Sequence, residues 1–62
     1  NYLIKMEREN PYFEYAGISG KLYTFTDENP YAILNAADAQ ALLNGESGFR
    51  QAFPNELEEY YS

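Results

Sequence analysis

The chain has 62 residues, a net charge of −6 and neither cysteine nor histidine. One domain, residues 1–62, fits that length, and a chain so short buries only roughly 60% of its unfolded surface. Disulfides and the common zinc sites are excluded as staples, which leaves an efficient core or association with a partner.

Tyr2, Ile4 and Met6 alternate with Leu3, Lys5 and Glu7, the period of a half-buried strand. Glu9-Asn10-Pro11-Tyr12 then breaks the ladder, because proline cannot donate to it and pushes the preceding residue toward extended backbone. Tyr12-Phe13-Glu14-Tyr15-Ala16 reads as a second strand, Gly17-Ile18-Ser19-Gly20 as a tight reversal, and Lys21 to Thr26 as the returning strand of a hairpin. The first strand is expected to pair onto that hairpin, giving a meander. Glu28-Asn29-Pro30-Tyr31 repeats the earlier break ahead of Ala32-Ile33-Leu34, a short fourth strand. Extending the alignment of the two copies matches only Leu3 with Leu22, so they are a shared strand-ending device and not a duplicated unit.

Asn35 suits a helix N-cap, and Asp38 falls in the acidic first turn that the helix dipole favours. The helix spans about residues 36–44, with Ala39, Leu42 and Leu43 on one apolar stripe and Asn44-Gly45 as a left-handed stop. Gly48 to Phe53 reads as either a last short strand or an extended arm. A second helix over about residues 55–61 carries Glu56, Glu58 and Glu59 at its positive end and Leu57, Tyr60 and Tyr61 at i, i+3 and i+4. A helix of about seven residues is not stable alone, so that face docks either on this domain or on a neighbour. The fold class expected is α+β, a small antiparallel sheet of three to four strands with one packed helix and a short C-terminal helix. Asn1 in place of an initiating methionine is expected of a processed product, a fragment or the ordered part of a longer chain.

Charge is uneven. Lys5, Arg8 and Lys21 balance Glu7, Glu9 and Glu14 in residues 1–26, whereas residues 27–62 set seven acids against Arg50 alone. That balance disfavours contact with nucleic-acid phosphates and anionic membranes. No apolar run approaches the roughly 20 residues that span a bilayer. The acids are either a solvated surface or complementary to a basic protein. Gly17-Ile18-Ser19-Gly20 begins like a nucleophile elbow, but Lys21 stands at the last glycine position and no histidine can serve as base. Asp27-Glu28-Asn29 begins like a calcium loop, yet Tyr31 replaces a ligand and Ala32 the turn glycine. No metal, cofactor or small-molecule substrate is expected.

Interface chemistry is abundant by contrast, with seven tyrosines and four phenylalanines. Tyrosine is over-represented among residues that carry binding energy. The candidate contact residues are Tyr12, Phe13, Tyr15, Tyr31, Phe49, Phe53, Tyr60 and Tyr61. Tyr12 and Tyr31 either cover the ends of the core or anchor a partner. Arg50 is either an internal partner of an acid such as Glu46 or one half of an intersubunit ion pair.

Tyr23-Thr24-Phe25-Thr26, Pro30-Tyr31-Ala32-Ile33-Leu34, Asp38-Ala39 with Leu42-Leu43, and Gly48-Phe49-Arg50-Gln51-Ala52 form an ordered pattern over about residues 21–61. It resembles small proteins encoded among the structural genes of tailed bacteriophages and prophages, in which a compact β-meander precedes a helix and a Phe-Arg-x-Ala segment. The resemblance implies a minor virion component that decorates a capsid or fits a neck or tail, with a virion location. Outside a phage, a cytoplasmic one is expected. It carries over no catalytic residue. The function expected is therefore non-enzymatic: a subunit, cementing protein or adaptor bound to other protein subunits in a homo- or hetero-oligomer. The alternative is an acidic inhibitor that mimics DNA and occupies a basic nucleic-acid-binding protein.

Overall fold

The computed structural model describes residues 1–9 and 11–62, so the backbone of Asn10 in the first Glu-Asn-Pro-Tyr lies outside the described residues. These form an α+β fold in the order β1 (Tyr2–Met6), β2 (Tyr12–Ala16), β3 (Leu22–Thr26), β4 (Tyr31–Leu34), α1 (Ala36–Gly45), β5 (Phe49–Gln51) and α2 (Pro54–Tyr60). The ambiguous segment after α1 is thus a strand, and α2 begins on Pro54, whose missing N–H costs nothing in a first turn.

β2 and β3 form the expected hairpin, with Phe13 opposite Phe25 and Tyr15 opposite Tyr23. Gly20 supplies a positive φ of 92° in its turn. β1 does not join this hairpin. It lies at the centre of a second antiparallel sheet in the order β4-β1-β5, with Leu3 opposite Ile33 and Lys5 opposite Arg50. The ladder runs on through Met6 N–H to the Pro30 carbonyl (2.8 Å), Glu7 N–H to the Gly48 carbonyl (2.6 Å) and Ala52 N–H to the Leu3 carbonyl (2.8 Å). The reason lies in the side chains of β1. Leu3, Ile4 and Met6 are all buried, so both faces of the strand need cover, whereas β2 alternates half-buried and exposed residues. A central place covers a strand on both faces.

One face of that sheet looks onto α1 and the hairpin. Ile4, Met6, Phe25, Leu34, Ala39 and Leu42 form the core there, with Phe13, Tyr15, Tyr23, Ala32 and Phe49 packed against it. By strand alternation Leu3 and Lys5 face the other way, toward α2, and Leu3 is buried on that side.

Asn35 caps α1 as its sequence implies, the side-chain oxygen accepting from the Asp38 N–H at 2.8 Å. The expected left-handed stop at Asn44-Gly45 is absent. α1 runs through Gly45 and ends on Glu46 in extended backbone, whose N–H reaches the Leu42 carbonyl at 2.9 Å. The chain leaves this helix straight, and its reversal comes at Gly48, with φ 84°. There a Cβ would come within 2.9 Å of the Arg8 side chain.

Candidate contact surface

Alternation along β5 sends Phe49 to the core and Arg50 to the opposite face, beside Lys5. Two adjacent cations on neighbouring strands repel, and α2 supplies the counter-charge. Glu56 grips Arg50 with both carboxylate oxygens, at 2.7 and 2.8 Å. It also lies 3.7 Å from the Lys5 ammonium and accepts from the Tyr31 hydroxyl at 3.2 Å and from the Phe53 N–H at 2.7 Å. The last contact is one half of a capping box. On the other edge of the guanidinium, Arg50 Nε pairs with Glu7 at 2.9 Å, and Arg50 Cζ lies over the Phe53 ring, 4.0 Å from its centroid. The Arg50 hydrogen bonds, with that of the Phe53 N–H behind them, hold the Glu56 carboxyl at about 2. The same contacts, Glu56 first and Glu7 next, push the guanidinium further into its charged form. Burial raises the Tyr31 phenol, and the negative charges of Glu56 and Glu59 add to that.

The expected Arg50–Glu46 pair is therefore corrected. Glu46, at the end of α1, pairs with Arg8 at 3.5 Å, and Arg50 is committed inside the chain to Glu56 and Glu7. Arg8 in turn lies 4.7 Å from the Phe13 ring centroid and 5.0 Å from that of Phe49, and donates to the Ser47 carbonyl at 3.2 Å.

The aromatic contact residues divide into two groups. Phe13, Phe49 and Phe25 form a cluster with centroids 5.1 to 6.4 Å apart, and Tyr15 stacks on Tyr23 at 6.4 Å. These side chains build the domain, and so does Tyr31 through Glu56. Tyr12, Phe53, Tyr60 and Tyr61 are exposed, at 56%, 55%, 40% and 62%. Three of these four lie on or beside α2. Tyr60 bridges the set, its centroid 5.7 Å from that of Tyr31 and 5.3 Å, edge-on, from that of Tyr61. Tyr31, Glu56, Glu59 and Tyr60 line a hollow of about 140 Å³.

The sequence places Asp38 in the acidic first turn of α1 without a tertiary partner, and the structure buries it completely. Its carboxylate accepts from the Ser19 N–H (3.1 Å), the Ser19 hydroxyl (2.5 Å), the Tyr23 hydroxyl (2.8 Å) and the Asn35 amide (3.1 Å). The Ser19 hydroxyl contributes most to holding the Asp38 carboxyl below the usual range against the cost of burial. Burial first, then the hydrogen bond to Asp38, raises the Tyr23 phenol. A carboxylate so satisfied is a weak base, and the Ser19 proton already points at it. The cluster ties the hairpin turn to the first turn of α1 and offers no activated nucleophile. Its sequence signal was the position of Asp38 four residues before Leu42, on the buried side of α1.

Among the described residues no three His, Cys, Asp or Glu side chains converge to hold a metal ion. No helix there is long and apolar enough to cross a membrane. Comparison with family models, with curated proteins and with solved structures finds no match for this chain.

Proposed function

We propose that this chain is a non-enzymatic subunit or adaptor of a larger protein assembly, and that it meets its neighbour through α2. The carrying observation is how α2 is held. None of its described residues is buried, and ion pairs fix it to the sheet through Glu56, Arg50 and Lys5. Phe53, Leu57, Tyr60 and Tyr61 stay exposed. Ordering a short helix while leaving its large apolar side chains in water gives the isolated domain little. It does present a partner with a preorganised aromatic face, and preorganisation lowers the entropic cost of association. The setting suggested by the sequence is a tailed-phage particle, with a capsid, neck or tail subunit as the neighbour; that setting rests on the resemblance over about residues 21–61 alone. The acids support the DNA-mimic alternative less well, since Glu7, Glu46 and Glu56 are spent on internal cations and Asp38 is buried.

The test is capture from an extract of the source organism with the wild-type chain and with Tyr60→Ala/Tyr61→Ala. The captured protein is then purified and its binary affinity measured by calorimetry. Loss of an aromatic anchor should weaken binding by about 30-fold, the scale of a hot-spot residue. A captured protein that binds the double variant as tightly as the wild type would refute the reading.

A further inference from the structure

We infer that the hollow lined by Tyr31, Glu56, Glu59 and Tyr60 receives an arginine side chain of the partner protein, an inference that rests on the assembly reading and names the chemistry of its partner. The hollow is concave and small, about 140 Å³, less than half of what a drug-sized ligand needs and enough for the end of one side chain. Tyr31 and Tyr60 pack against each other, with ring centroids 5.7 Å apart, and together form one wall. An occupant lies against that wall and not between the rings. The charged groups that line the hollow are Glu56 and Glu59. Lys5 and Arg50 engage Glu56 from the sheet side. Among the described residues no cation pairs with Glu58 or Glu59. With Glu56 neutralised from the sheet side, Glu59 is the acid at the hollow left without a cation, on a chain whose net charge is −6. A cationic occupant is the one that such a face attracts.

The molecule shows how it binds cations. Arg50 lies over Phe53 with Glu56 alongside, Arg8 over Phe13 and Phe49 with Glu46, and Lys5 beside Tyr31, 5.9 Å from its ring centroid, with Glu56. Each combines an aromatic face with a glutamate. Tyr60 with Glu59 repeats that pairing at the hollow. Arginine fits better than lysine because its planar group can lie along a tyrosine ring and fork onto a carboxylate at once, whereas an ammonium is a strongly hydrated point charge.

The probe is the capped peptide Gly-Gly-Arg-Gly-Gly, with its lysine and glutamine counterparts, titrated into the isotope-labelled chain and followed by amide NMR. The arginine peptide should shift the signals of Tyr31, Glu59 and Tyr60 before others, and the glutamine peptide should not. Glu59→Gln and Tyr60→Ala should each weaken the arginine peptide about two- to fivefold, the scale of an exposed cation–π or ion-pair contact, with the other signals in place as the check on folding. Equal shifts at Asp27, Glu28 and Glu14, or no weakening in Tyr60→Ala, would overturn the inference in favour of diffuse attraction to acids. The two readings fail separately. A captured partner indifferent to Glu59→Gln, with no localised peptide shifts, removes the arginine site and leaves the assembly reading. Localised shifts without any captured protein support the site and remove the assembly reading.

Discussion

Replacing Gly17 with alanine should reverse the sign that backbone reasoning gives. Gly17 is not among the positive-φ glycines, so alanine can adopt its conformation. Restricting the unfolded chain would by itself stabilise the protein by about 0.4–1 kcal/mol. A Cβ at Gly17, however, would overlap the Asp38 carboxylate, at 2.5 Å from Cγ and 2.8 Å from Oδ1. Asp38 cannot step aside without breaking its bonds to Ser19, Tyr23 and Asn35. Overpacking of this kind costs about 1–3 kcal/mol, which with the gain set against it leaves a net loss centred on about 1.3 kcal/mol. For a chain whose whole stability scales to about 3–9 kcal/mol, that is a drop in Tm of about 5–10 °C. Thermal and urea unfolding followed by circular dichroism should be run on Gly17→Ala, Asp38→Ala and the double variant. With the carboxylate gone, Gly17→Ala should become neutral or stabilising. A stabilising effect in the wild-type background, or an equal loss in both backgrounds, would refute the reasoning.

Gly45→Ala gives the contrasting case. Nothing lies within 4 Å of its Cβ position and it ends α1 in ordinary backbone, so a gain of about 0.5–1 kcal/mol is expected as a higher urea midpoint. Arg50→Leu should flatten the acid limb of stability. The folded pKa of Glu56 is depressed to about 2, so its contribution is complete above the unfolded value of about 4.3. It is lost as pH falls from there through about 2, and urea midpoints at pH 6, 4 and 2.5 that decline in parallel in wild type and variant would contradict this. Tyr23→Phe removes a donor from Asp38 and should raise that carboxyl from its depressed position, read from the side-chain carboxyl carbon shift against pH. An unmoved titration would show that the phenol does not hold the proton toward Asp38.

What the sequence made legible was local. Alternation marked the first and third strands, the proline breaks and the runs after them marked the second and fourth, and Asn35 marked the start of α1, because each rests on contacts within a few residues. Partner choice was not legible. β1 could have paired with the neighbouring hairpin, and only the burial of Leu3 as well as Ile4 and Met6 explains its place between β4 and β5. Arg50 was offered Glu46, four residues back, as its partner. The strand at Phe49–Gln51 and the start of α2 at Pro54 bring Glu56 instead to the face where Arg50 and Lys5 need a counter-charge. Asp38 was read by its helix position alone, although the donors that allow its burial sit on a turn nineteen residues earlier. Half of the proposed aromatic anchors, Phe13, Tyr15, Phe49 and Tyr31, pack inside the domain, since ring composition does not say which face a strand buries.

The central position of β1 also sets the order in which this protein can be made. Residues 2–6 emerge from the ribosome before every other strand described here, yet one of their neighbouring strands is β4 and the other is β5, which ends at Gln51. At synthesis rates of about 5–20 residues per second, the hairpin of β2 and β3 is complete while β1 still has two open edges. Contacts so distant along the chain are formed late. The nascent protein therefore carries an apolar strand with both edges open until β4 has emerged, and with one edge open until β5 follows.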